Sequence, residues 1–329
     1  MKPSRLDEDD IRVRPGRSKS RPRTKDRPLH TDAVLGSVTT VDRGRFTVLL
    51  DTDDYGQEIY AVKARELGRK GIVVGDRVAL VGDSSGDVDS QARIIRREPR
   101  VTELRRTADD NDPQERVIVA NAGFLGIVVA AANPEPRTGL IDRAIVAALD
   151  AHITPFLVIT KCDVGDPEAL TQNYRALGLQ IFYISNGIAG TELVKFVMDK
   201  VTVFVGHSGV GKSTLINQLV PLAQRLTGEV NDLTGKGKHT STSVIAFPLP
   251  HSTGIVIDTP GIRSFGLAHV SREVILESFS DLTVTMESCP RACSHNEPEC
   301  GLNEIVDPLG RQRVESLQSL LAGNTILSL

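Results

Sequence analysis

The chain has 329 residues, 39 of them Lys or Arg and 42 Asp or Glu, for a formal net charge of −3. Its 40% hydrophobic and 25% charged residues are ordinary globular composition, and the length suits two or three domains. No apolar stretch approaches the roughly 18–20 residues of a membrane span, the charged N-terminus carries no apolar signal core, and the 4 cysteines do not make a disulfide framework, so membrane, secreted and disulfide-stapled classes are set aside.

In chain order, residues 1–32 read as a basic disordered tail. Positions 11–30 hold eight Lys or Arg against one acid, Asp26, with Pro and Ser between them. Such a segment is either a solvated leader or a basic arm for phosphate backbones. Residues 33–98 change to short β-rich runs: Val34–Val41, Arg45–Leu50, Glu58–Val62, Arg77–Val81 and Ala92–Arg96. Five such strands between Gly- and Asp-rich turns predict a small barrel of the OB type. Residues 98–116 are hydrophilic and read as a linker.

From about 113 to 268 the pattern is α/β. Near-continuous apolar runs at Val117–Ala120, Leu125–Ala131, Phe156–Thr160, Gln180–Ser185, Val201–Val205, Ser243–Phe247 and Gly254–Asp258 predict strands covered on both faces. Helical stretches fall between them at Leu140–Ala151, Glu168–Leu177 and Ser213–Leu219.

Gly206-His207-Ser208-Gly209-Val210-Gly211-Lys212-Ser213, followed by Thr214, fits G-x-x-x-x-G-K-[ST] between a strand and a helix. The glycines let backbone N–H groups turn toward phosphate oxygens. The helix N-terminus adds positive potential. Lys212 is expected on the β- and γ-phosphates and the Ser213 hydroxyl on Mg²⁺. Asp258-Thr259-Pro260-Gly261 supplies the acid for Mg²⁺ and a Gly N–H for the γ-phosphate. Thr240, in the basic Gly235–Thr242 stretch, is the favoured second Mg²⁺ hydroxyl, with Thr242 as alternative.

Guanine presents N1–H and N2–H₂ donors that one carboxylate accepts together; adenine leaves that carboxylate unpaired, at about 1–3 kcal/mol or more. Thr160-Lys161-Cys162-Asp163 follows an apolar strand in the manner of N-K-x-D. Asp163 would read the base, the Lys161 stem would pack over its ring, and Thr160 stands where Asn is usual. Ser185 and Asn186 would supply the loop over guanine O6. This base motif precedes the phosphate loop. No lysine occurs after Lys238, so no later N-K-x-D exists. The order is therefore a circular permutation of a GTPase domain, with its parts fixed in space and its chain ends moved.

With barrel, permuted motifs and C-terminal Cys/His cluster together, the chain resembles the RsgA family, the circularly permuted GTPases of bacterial small-subunit ribosome biogenesis. The resemblance implies GTP hydrolysis to GDP and phosphate, binding to the 30S subunit and 16S rRNA late in maturation, an OB-fold and a zinc-binding domain. A cytoplasmic monomer is expected. Ile262 follows D-x-x-G where Ras-type enzymes place a Gln. Slow intrinsic turnover, raised by the 30S partner, is therefore expected; His207 and His239 read as surface histidines, with assistance to hydrolysis by either as the alternative. Because D-T-P-G leads toward the C-terminal segment, GTP against GDP is expected to reposition that segment relative to the barrel. Two competing readings are an ATP-using P-loop enzyme and a non-catalytic nucleotide-gated RNA-binding module.

Cys289-x₃-Cys293-x-His295-x₄-Cys300 offers three thiolates and an imidazole within twelve residues. A closed Cys₃His set predicts one structural Zn²⁺ in a domain spanning 269–329. Asp307–Leu320 reads as an amphipathic helix packing on that same domain rather than on a partner.

Overall fold

The computed structural model describes residues 30, 32–51, 57–68, 71–87, 90–109, 112–221, 223, 244–259, 265, 267 and 269–326. His30 and Asp32 apart, the expected basic tail lies outside them.

Five strands form the barrel: β1 (Val34–Asp42), β2 (Arg45–Leu50), β3 (Glu58–Lys63), β4 (Arg77–Gly82) and β5 (Ala92–Arg97). Their neighbours run β1-β2-β3-β5-β4, closed by a β1–β4 pairing, and β3–β5 is the parallel pair. The period-2 pattern drives closure. Phe46, Val48 and Leu50 of β2 turn inward onto Val38, Ile59, Val78, Leu80 and Ile94, while Arg45 faces solvent. The β1–β2 turn places Arg43 and Gly44 at φ +42° and +89°, the left-handed pair a two-residue hairpin loop needs.

The stretch read as a linker, together with the Val117–Ala120 run read as a strand of the α/β sheet, is instead a separate two-stranded antiparallel ribbon, β6 (Glu103–Asp109) and β7 (Asp112–Ala120). Most of its apolar residues sit at the base. Leu104 opposite Val119 is fully buried, and Val119 bridges to Val74 below the barrel. Charged residues dominate the rest of the ribbon, so composition hides the pairing. Beside this base the Arg100 guanidinium grips Asp76 in a bidentate pair at 2.6 and 2.8 Å, with side-chain exposures of 7% and 0%.

The second sheet comprises β8 (Phe124–Ala130), β9 (Thr154–Thr160), β10 (Ile181–Tyr183), β11 (Val201–Gly206), β12 (Ile245–Pro248) and β13 (Ile255–Asp258). Its order is β10-β9-β8-β11-β13-β12, parallel except at β12. On one face α1 (Thr138–Asp150) and α2 (Glu168–Arg175) cover Leu125, Ile127 and Val129; on the other α3 (Thr191–Val197) and α4 (Lys212–Leu219) cover Val128, Phe156 and Phe204. Burial of both faces is why these strands read as unbroken apolar runs. Gly126 is the exception, because a Cβ there would lie 2.5 Å from the Phe204 ring. Strand β12 also pairs with barrel strand β1, Thr40 opposite Ile245, so barrel and sheet are continuous.

The C-terminal segment carries helices Arg272–Glu277 and Thr283–Met286 and a long helix Pro308–Ile326. The long helix does not pack on its own segment alone. Val314, Leu317 and Leu321 join the core beneath α1. Arg313 contacts Asp142 of α1 at 2.5 Å and Asp281 at 2.9 and 3.0 Å, and Ser316 donates to the same Asp142 carboxylate. The guanidinium also lies 4.2 Å from the Phe279 ring centre. A nucleotide-driven shift of this segment away from α1 would have to break that buried network.

Candidate nucleotide and metal sites

Parallel strands deliver their C-terminal ends to one edge. Register places Ala130 opposite Thr160, Gly206 opposite Val128 and Phe204 opposite Asp258. The loops after β9, β11 and β13 therefore emerge side by side, the ligand-binding edge of an open α/β sheet. The motif that comes first in the chain and the phosphate loop are only two strand spacings apart, about 10 Å.

The phosphate loop turns through Gly209 and Gly211, at φ +84° and +93°. Both values lie in the left-handed region that glycine enters without steric cost. Gly206 is packed so closely that a Cβ would stand 2.6 Å from the Val128 carbonyl. Ser213 and Thr214 are exposed on the first turn of α4. Lys212 is 9% exposed, and its ammonium contacts the Asp258 carboxylate and donates to the Thr259 carbonyl at 2.6 Å. His207 is half-buried, its Nδ1 3.0 Å from the Ser208 carbonyl, and Ser208 is exposed.

Lys161 has a φ of +57°, and its ammonium donates to the Asn133 carbonyl and, at 2.8 Å, to the Gly209 carbonyl of the phosphate loop. The Thr160 hydroxyl lies 2.5 Å from the Val210 carbonyl and 3.1 Å from that of Val129. Cys162 turns back onto the Ile159 carbonyl at 3.2 Å, and burial pushes its thiol up, so it stays a neutral filler. Asp163 is exposed, and its Oδ1 accepts the Asn186 N–H at 2.7 Å. Asn186 thus lies against Asp163, and Ser185 precedes it in the same turn. Thr240, Thr242, His239, Gly261 and Ile262 lie outside the described residues.

The second cluster sits in the C-terminal segment. One ligand atom from each of Cys289, Cys293, His295 and Cys300 lies within 4.8 Å of the others. Cys289 Sγ is 3.6 Å from His295 Nδ1 and 3.7 Å from Cys300 Sγ, and Cys300 Sγ is 3.7 Å from His295 Nδ1. Sulfurs bound tetrahedrally at about 2.3 Å from zinc stand about 3.8 Å apart. The donor set and its spacing therefore fit Zn²⁺. Burial pushes the Cys293 thiol up to about 12 in the protein alone, a bias that a divalent cation reverses. Burial likewise holds the His295 imidazole below its usual value, in the neutral form that ligates.

Three supporting residues carry no motif signal. Glu297 accepts the Ser294 N–H at 2.9 Å and the Cys293 thiol at 3.2 Å. Gln318 on the long helix donates to the His295 carbonyl at 2.7 Å, and Arg272 donates to the Cys293 carbonyl at 3.0 Å. Each acts through a contact distant in sequence or through backbone, which spacing alone does not reveal.

A doubly covered parallel sheet, a glycine-rich phosphate loop and a base motif that reaches it from earlier in the chain define a circularly permuted P-loop GTPase. The sequence model of the RsgA GTPase family matches residues 97–268. The chain is 36% identical over 263 residues to the small ribosomal subunit biogenesis GTPase RsgA of Pseudomonas fluorescens (strain SBW25), covering 76% of this chain and 74% of that one. To the RsgA of Ectopseudomonas mendocina (strain ymp) it is 38% identical, with the same coverage. Among solved structures it resembles YjeQ from Thermotoga maritima, with a TM-score of 0.64 and 25% identity, covering 89% of this chain and 99% of that one. Its fold also matches YloQ, a circularly permuted GTPase, with a TM-score of 0.64, 23% identity and 91% and 98% coverage. The chain belongs to the RsgA GTPase family and is a GTP hydrolase.

Proposed function

We propose that the chain hydrolyses GTP while bound to the 30S subunit, contacts 16S rRNA, and acts late in small-subunit maturation as a cytoplasmic monomer. The observation that carries this reading is the reach of Lys161 from the Thr160–Asp163 segment to the Gly209 carbonyl at 2.8 Å, which supports base and phosphate recognition in one site. Relatives bearing the small-subunit biogenesis name support the ribosomal partner. Among the described residues no helix is long and apolar enough to cross a membrane.

In this reading Asp163 accepts the guanine N1–H and N2–H₂, and Ser185 and Asn186 close the base side. Residues Gly206–Thr214 cradle the phosphates, with Lys212 on the β- and γ-oxygens. Mg²⁺, supplying charge neutralisation at the phosphates, would be held by Ser213, Thr240 and Asp258, and Gly261 would face the γ-phosphate. The Lys212–Asp258 contact supports this assignment, because it places the phosphate-binding cation beside the metal-binding acid. One Zn²⁺ held by Cys289, Cys293, His295 and Cys300 would be structural, since all four positions are filled by protein.

With Ile262 in the place of the water-orienting Gln, isolated turnover is slow and the 30S subunit raises it. The net charge of −3 does not attract RNA as a whole, so the contact is local and weakens steeply with salt. Co-sedimentation with 30S subunits in a non-hydrolysable GTP analogue against GDP tests the reading, together with phosphate release with and without 30S. Equal sedimentation in both nucleotides and a full rate from isolated protein would overturn it.

A further inference from the structure

The loop beside Asp163 is a two-residue reverse turn. Asn186 and Gly187 both have positive φ, +52° and +67°, and the Ile188 N–H donates to the Ser185 carbonyl at 3.0 Å. Two consecutive left-handed residues make a type I′ turn, for which Asn-Gly is the favoured pair. Such a turn closes its ends but leaves the N–H of its first central residue and the carbonyl of its second to be satisfied elsewhere.

Both find partners, on opposite sides. The Asn186 N–H donates to Asp163 Oδ1 at 2.7 Å. The Gly187 carbonyl accepts from Gln218 Nε2, and Gln218 Oε1 accepts the Ala189 N–H at 2.5 Å. Gln218 lies on the last turn of α4, the helix whose first turn carries Lys212 and Ser213. A Cβ on Gly187 would lie 3.4 Å from the Thr214 methyl, so the turn also rests against that helix. One amide side chain thus clips the turn at donor and acceptor together. The exposed Asp163 carboxylate has the Asn186 N–H as its one protein hydrogen bond among the described residues. Its orientation follows the turn.

We propose that Gln218 is a positioning residue for guanine selectivity: it fixes the Ser185–Ala189 turn to the phosphate-binding helix and through that turn aims Asp163 at the base. The proposal rests on the reading of Asp163 as the base-reading carboxylate.

The test compares GDP, IDP and XDP binding to the full chain by displacement of a fluorescent guanine nucleotide. IDP keeps N1–H but lacks the 2-amino group, so the GDP-to-IDP affinity ratio reads the 2-amino half of the Asp163 contact. Gln218→Ala is expected to weaken GDP by about three- to tenfold and to lower the GDP-to-IDP ratio by about threefold, the scale of one or two hydrogen bonds. Gln218→Glu keeps the acceptor for Ala189 but not the donor to Gly187, and is expected to fall between. An unchanged GDP-to-IDP ratio, whether both affinities fall equally or neither falls, would show a merely structural role and overturn the proposal. Asp163→Asn separates the two claims. An amide N–H₂ complements the xanthine 2-oxo group, so a shift from GDP toward XDP upholds the base reading. With that shift seen and the Gln218→Ala ratio unchanged, the Gln218 proposal alone falls. Without the shift, the base reading falls and the Gln218 role falls with it.

Discussion

The Thr160 hydroxyl lies 2.5 Å from the carbonyl of Val210, so the first residue of the base motif is tied directly to the phosphate loop. An Asn at this position carries an amide; here a shorter hydroxyl makes the loop contact. Thr160 is 4% exposed, which makes loss of its partner costly for the Val210 carbonyl. Thr160→Val, of nearly equal shape, is expected to lower guanine nucleotide affinity about tenfold, and Thr160→Ser to retain most of it. Titration calorimetry with GDP on both variants checks this. Equal affinity for Thr160→Val and the parent chain would refute the tie.

Lys212 is buried, with its ammonium held by the Asp258 carboxylate and the Thr259 carbonyl. Lys212→Ala is expected to abolish 30S-stimulated phosphate release while leaving the fold intact by circular dichroism. Retained stimulation would place phosphate recognition elsewhere.

Four ligand atoms within 4.8 Å predict one zinc per chain, measurable by elemental analysis of purified protein. Cys300→Ser is expected to lower zinc to well below one equivalent and to lower Tm. Because Gln318 and Arg272 join the ligand loop to neighbouring helices, chelation should also loosen the packing of the long C-terminal helix. Faster hydrogen exchange over 308–326 after chelation would register that loss. Unchanged exchange with zinc removed would show that the loop and helix are energetically separate.

The Asp142–Arg313 pair gives a pH prediction with a definite sign. Burial pushes the Asp142 carboxyl above its ordinary value, despite Arg313 and Ser316. The native state therefore holds a proton that the unfolded chain has already lost above about 3.9. Stability falls as pH rises from there through the raised native value, since folding then takes up a proton. Asp142→Asn is expected to flatten this slope in urea melts taken upward from about pH 4, at little cost, because its amide oxygen still accepts from Arg313. Arg313→Ala strands the buried carboxylate and should cost about 3–5 kcal/mol. Equal destabilisation by the two substitutions would contradict this division.

Much of this protein is written locally. The phosphate loop, the Asp163 motif and the Cys/His cluster are contiguous, and each needs particular residue types at fixed spacing because backbone cradles, base edges and tetrahedral metals have fixed geometry. Barrel strands and buried parallel strands are equally legible, since period-2 alternation and unbroken apolar runs follow from which faces are covered. The β6–β7 pairing was hidden because the buried Leu104, Val119 and Ala120 cluster at its base, on an apolar surface that belongs to distant residues, while charged residues fill most of the remainder. Tertiary structure alone decided that Gln218 meets the Ser185–Ala189 turn, that Thr160 holds Val210, and that Arg313 closes over Asp142. Each of these joins residues 29 to 171 positions apart. Such pairs come within hydrogen-bonding range only when parallel strands bring their ends to one edge and packed helices bring their flanks together. No local pattern of side chains encodes that distance.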